Sequence, residues 1–109
     1  MPIYFLQYEA RPSPESNDFE KYGGGFVNCW VKSKSPDEAR KQTVKTISEN
    51  KWQIVSVEED CREVSEDSYT EDDDGLERYQ QAAIDGECYV FHTWSNGPQE
   101  QMKRTELKN

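Results

Sequence analysis

One histidine and three cysteines are the residues of this 109-residue chain with the widest chemical reach, from proton transfer to nucleophilic attack and metal ligation. His92 would be the natural general base or metal ligand of a small enzyme. It stands in Cys88-Tyr89-Val90-Phe91-His92-Thr93-Trp94, a run that reads as a β-strand. On a strand it shares a face with Val90, Trp94 and Cys88, but four residues of strand rise set Cys88 about 13 Å away. A catalytic site around His92 therefore needs Cys29, Cys61 or a carboxylate to approach it across the sheet. Cys29, Cys61 and Cys88 are odd in number and widely spaced, which gives neither a disulfide framework nor a CxxC signature. They read as reduced structural thiols, and His92 as a structural or partly exposed histidine.

Clustered carboxylates suit hard cations, so Asp72-Asp73-Asp74-Gly75 invites a calcium-loop reading. Spacing rejects it. With Gly75 at the sixth position of such a loop, Thr70 falls at the first and Gln81 at the twelfth, where carboxylates are required. Gly23-Gly24-Gly25 is no phosphate cradle either: it leads into a strand and no Lys-Ser or Lys-Thr follows it, so it reads as a flexible turn. No cofactor or metal is expected.

What remains is charge. Thirteen basic residues against 22 acidic ones leave a net charge of −9, the wrong sign for neutralising phosphates, so direct nucleic-acid binding is not expected. The one cationic patch, Lys32, Lys34, Arg40, Lys41 and Lys45, reads as a solvated helix face and its approach. Half of the acids lie in the 20 residues from Glu58 to Glu77, opposed there only by Arg62. Such a run keeps a protein soluble. It can also occupy the substrate or phosphate groove of a basic protein and speed association by long-range steering. The candidate partner-binding residues are Glu58, Glu59, Asp60, Glu63, Glu66, Asp67, Asp72, Asp73 and Asp74, with Tyr69 as an apolar anchor. The expected function is that of a small, acidic, non-enzymatic protein-binding domain docking a basic partner; in composition it resembles inhibitors and immunity-type proteins. The alternative is a ligand-binding domain or enzyme with its site around His92. Tyr4, Tyr8, Phe19, Tyr22, Tyr69 and Tyr79 add aromatic area in excess of a small core, and some are expected at a partner interface or a homodimer contact.

The elements that must position these groups follow from local pattern. Leu, Ile, Val and Phe make up only 18 of 109 residues, which with this charge normally signals disorder. Three Trp and six Tyr reverse that expectation, since each buried ring supplies about 150 to 250 Å². The length suits one domain, expected over residues 1–97, with a polar, disordered tail over 98–109. Neither a signal-peptide pattern nor an apolar run of membrane length is present, and a soluble, cytoplasmic protein is expected.

Ile3 to Tyr8 and Phe26 to Val31 read as strands. Ser35-Pro36-Asp37-Glu38 is a capping box with Pro at N1 and starts a helix whose stripe is Ala39, Thr43, Val44 and Ile47. That helix is expected to end on a left-handed Asn50. Trp52 to Val57 is a third strand, joined to the second by a parallel crossover. The acidic segment holds at best one short edge strand. A second helix runs from Gly75 to Asp85, capped by Asp74 and stopped by Gly86, with Leu76, Tyr79 and Ala83 as its buried stripe and Ala82 beside it. Cys88 to Trp94 is the last strand. The expected fold is α+β, a two-layer sandwich in which two helices pack on one face of a mixed four- to five-stranded sheet. It resembles a ferredoxin-like arrangement, from whose order the early hairpin departs.

Overall fold

The computed structural model describes residues 1–71 and 73–95, so Asp72 and the expected tail at 98–109 lie outside the described residues. The elements in chain order are β1 (Ile3–Pro12), β2 (Tyr22–Lys32), α1 (Pro36–Glu49), β3 (Trp52–Val64), a 3-10 turn (Glu66–Ser68), α2 (Asp74–Asp85) and β4 (Glu87–Ser95). They form one four-stranded sheet in the order β3-β1-β2-β4. Each pair of neighbours is antiparallel, so the sheet is antiparallel throughout and not mixed. β2 and β3 both oppose β1 and hence run parallel to each other. The α1 crossover therefore spans an intervening strand.

Side chains alternate across a strand, and in β1 both sets are apolar. Tyr4, Leu6, Tyr8 and Ala10 join Val27, Cys29 and Val31 of β2 under Ala39 and Ile47 of α1. Ile3 and Phe5 join Trp30 of β2 and Val64 of β3 under Ala82 of α2. The two helices thus lie on opposite faces, and the molecule has three layers where two were expected. A single helical layer would have left Phe5 and Trp30 in water, and the ferredoxin-like resemblance, which needs that layer, fails with it. Leu6, Val27 and Ile47 are almost wholly buried, each contributing about 1.5–3 kcal/mol through apolar burial.

Local chemistry sets the helix ends. Ser35 Oγ accepts a hydrogen bond from the Glu38 N–H at 3.2 Å and caps α1, which is one half of the expected capping box; the return bond from Ser35 N–H to the Glu38 carboxylate is not formed among the described residues. Thr43 is fully buried because its hydroxyl donates to the Ala39 carbonyl at 2.9 Å, whereas Val44 of the expected stripe is 47% exposed. Asn50 keeps φ at −83°, and the left-handed turn falls on Lys51 at φ 65°. α2 begins one residue earlier than expected, capped by Asp73, and Gly86 ends it at φ 94°. Only Ala82 of α2 is fully buried; Leu76 and Tyr79 are half-buried and Ala83 is exposed.

β3 is the largest departure from expectation: it runs on through Glu58–Val64 as an edge strand, so the first part of the acidic segment is sheet. Its ladder with β1 contains three register shifts. Each inserts an extra residue opposite β1, and Asp60 with Cys61 faces the single Leu6 in one of them.

Candidate acidic interface

The expected site residues fall into two groups. Glu58, Glu59, Asp60 and Glu63 lie along the outer strand β3. Glu66 and Asp67 sit in the 3-10 turn, and Asp73 and Asp74 at the start of α2. Tyr69 connects the groups.

Several of these carboxylates are engaged within the chain. The bulge turns Asp60 toward α1, where Arg40 Nε meets Oδ1 at 2.9 Å and its second amino group meets Oδ2 at 3.1 Å. The Arg40 guanidinium, followed by the Cys61 N–H at 2.7 Å, holds the Asp60 carboxyl below the usual carboxylate range. Arg40 also reaches Asp37 at 2.8 Å, so the expected cationic patch is partly neutralised. Glu59 pairs with Arg62 at 2.7 Å, and Glu58 accepts from the Ser56 hydroxyl at 2.7 Å. Asp73 accepts from the Gly75 N–H at 2.8 Å, which makes it a helix cap.

Glu63, Glu66, Asp67, Glu71, Asp74 and Glu77 are different. All are exposed, and none forms an ion pair among the described residues. They follow one another along the chain from the end of β3 to the first turn of α2. There Asp74 and Glu77 also complement the positive end of the helix.

Tyr69 is turned inward. Its hydroxyl accepts the Trp30 Nε1–H at 2.9 Å, and its ring lies 6.0 Å from that of Tyr79. A Cβ on Gly75 would come within 2.7 Å of the Tyr69 ring. The glycine of the Asp-Asp-Asp-Gly run is thus required by this ring, a packing role that spacing alone does not disclose. Beside it opens a hollow of about 290 Å³, with Phe5, Trp30 and Val90 among its apolar lining and Asn28, Arg62, Arg78, Asp73, Asp74 and His92 among its polar lining. Arg62 lies over the Phe5 ring, 5.4 Å from its centroid. The structure therefore brings Tyr69, Asp73 and Asp74 together with His92. Sequence reading missed Arg62, Arg78, Asn28 and Trp30 in this hollow, because only strand pairing and the packing of α2 on the sheet bring them together.

His92 is exposed on the α2 face, where it opposes Phe26. Cys29 and Cys61 pack on the α1 face, so the sheet separates them from it. Cys88 shares its face but lies four residues along the same strand, beyond reach for a dyad. Burial pushes the Cys29 and Cys61 thiols up, away from the reactive thiolate. Among the described residues no three His, Cys, Asp or Glu side chains are grouped to hold a metal ion, and no helix is long and apolar enough to cross a membrane. Gly23, Gly24 and Gly25 lie inside β2, where the expectation was a turn. Gly24 leaves room for the Trp94 ring, whose Cζ2 would lie 2.7 Å from an added Cβ.

Comparison with protein families, with curated proteins and with solved structures returned no match to this chain.

Proposed function

We propose that this is a non-enzymatic protein-binding domain that docks a basic partner through the acidic surface running from β3 to α2. One observation carries the reading: six exposed carboxylates, Glu63, Glu66, Asp67, Glu71, Asp74 and Glu77, follow one another without an ion pair among the described residues. Like charges on one surface repel, and a cationic partner relieves that repulsion while being steered toward it. Tyr69, held by Trp30 and Gly75, fixes the position of the segment, so partner binding does not have to order it first.

The test uses the immobilised chain to capture proteins from a native lysate at low salt, followed by mass spectrometry. A Glu63→Lys/Glu66→Lys/Asp67→Lys variant, which leaves the Asp73 cap intact, serves as the comparison. A basic protein retained by the parent and lost from the variant is expected, with its association rate reduced roughly 10- to 1,000-fold at low salt. Equal retention by both forms, or an association rate indifferent to salt, overturns the proposal.

A further inference from the structure

The hollow beside Tyr69 holds groups of both charges, and two of them are placed to satisfy each other but do not. Asp74 and Arg78 both line it. They stand at i and i+4 on α2, where Cβ atoms lie about 5–6 Å apart and an acid on the N-terminal side of a base is the favourable order. Neither forms an ion pair among the described residues. Other polar groups of the hollow are only half used. Asp73 spends Oδ1 on the Gly75 N–H at 2.8 Å, and Arg62 gives its Nε–H alone to Glu59, at 2.7 Å. The Asn28 side-chain oxygen accepts from Gln7 at 2.7 Å, which leaves the Asn28 amino group as a donor.

Between these groups the lining is apolar. Phe5, Trp30 and Val90 contribute from the sheet, and Tyr69 from the segment before α2. Trp30 has already given its Nε1–H to Tyr69, so it offers ring surface alone. At about 290 Å³ the hollow falls just below the roughly 300–1,000 Å³ of sites for drug-sized ligands, which sets its occupant at the size of one amino acid. Charge narrows the choice further. A simple anion meets Asp73 and Asp74, a simple cation meets Arg62 and Arg78, and an uncharged molecule takes water from all four without replacing it. A zwitterion answers both signs. An α-amino acid carries its ammonium and carboxylate on one carbon, which suits a carboxylate and a guanidinium one helical turn apart.

We propose that this hollow binds a free amino acid with an aromatic side chain. Asp74 and the second oxygen of Asp73 hold its ammonium; Arg78, Arg62 and the Asn28 amino group hold its carboxylate. Its ring lies against Trp30, Tyr69 and Val90, since aromatic walls favour an aromatic guest through offset and edge-to-face contacts. A residue inside a peptide has neither charged group on its own Cα, so a chain segment does not fit the same site. Of the six carboxylates in the basic-partner reading only Asp74 lines the hollow, and the site does not rest on that reading.

The test titrates the isotope-labelled whole chain with L-phenylalanine and follows backbone amides and indole N–H groups by NMR. A Kd in the millimolar range or below is expected, with shifts centred on Trp30, Tyr69, Gly75 and Val90. Phenethylamine, which lacks the carboxylate, and hydrocinnamate, which lacks the ammonium, should each bind about five- to tenfold more weakly. Arg78→Gln should erase the preference over phenethylamine and keep that over hydrocinnamate; Asp74→Asn should do the reverse. Misfolding would remove both preferences at once, and circular dichroism checks for it. The Glu63→Lys/Glu66→Lys/Asp67→Lys variant should bind phenylalanine as the parent does, whether or not it still captures a basic protein. No shift of the Trp30 indole at about 20 mM phenylalanine overturns the proposal. So does either analogue, L-leucine or the peptide Gly-Phe-Gly binding as tightly as phenylalanine, or both preferences surviving in both folded variants.

Discussion

Replacing Tyr69 by Phe removes a single oxygen, yet it should be felt throughout the acidic segment. The hydroxyl accepts the Trp30 Nε1–H at 2.9 Å, and Trp30 is only 5% exposed, so the indole N–H has no ready access to water when its partner goes. An orphaned buried donor costs about 1–3 kcal/mol, more than the net value of an average hydrogen bond. The Phe ring keeps its packing on Gly75 and Tyr79, so the loss comes from the oxygen alone. For a domain near this size each kcal/mol lowers Tm by about 4–8 °C. Urea and thermal unfolding of the parent, Tyr69→Phe, Trp30→Phe and the double variant measure it. Coupling of at least about 0.5 kcal/mol in the double-mutant cycle is expected. Stability of Tyr69→Phe within about 0.3 kcal/mol of the parent would refute the claim that this bond ties the segment to the sheet.

Two further perturbations probe the frame. The Asp60 carboxyl has its pKa lowered on folding by Arg40, so its contribution is present above the unfolded value of about 3.9 and is lost as pH falls through the folded one. Asp60→Asn should therefore lower the urea midpoint slightly at neutral pH, since the pair is exposed, and the difference from the parent should vanish in acid. A difference that persists in acid would assign it to the bulge and not to charge. Gly86→Ala should cost about 1–2 kcal/mol by urea titration. Nothing lies within 4 Å of the added Cβ and φ is 94°, so backbone strain is the sole cause, and an unchanged midpoint would exclude it.

What sequence disclosed follows the range of the forces involved. α1 was readable because Ser35, Pro36 and Glu38 act within one turn, and α2 because Gly86 and the Asp cap do the same. The layer count was not. Which face a helix covers depends on crossovers that span the sheet, and the clue lay in β1 and β2, where Phe5 and Trp30 make the second face as apolar as the first. The length of β3 was hidden for a related reason. Glu58 to Glu63 looks like a loop because an outer strand needs a partner on one side only, and β1 supplies it. The acidic candidates were found by composition alone. Their division into carboxylates spent within the chain, such as Asp60 and Asp73, and carboxylates left outward, such as Glu66 and Asp67, depends on Arg40 and Gly75 and is visible only in three dimensions.

The bulges of β3 have an evolutionary consequence. By giving Glu58 and Val55 no opposing residue on β1, they create positions that can change without disturbing the alternation that packs Leu6 and Phe5. Charge on this edge can therefore drift, or reverse its sign, while selection on the core holds the fold constant. Surface charge and folding are thus written in separate residues of the same strand.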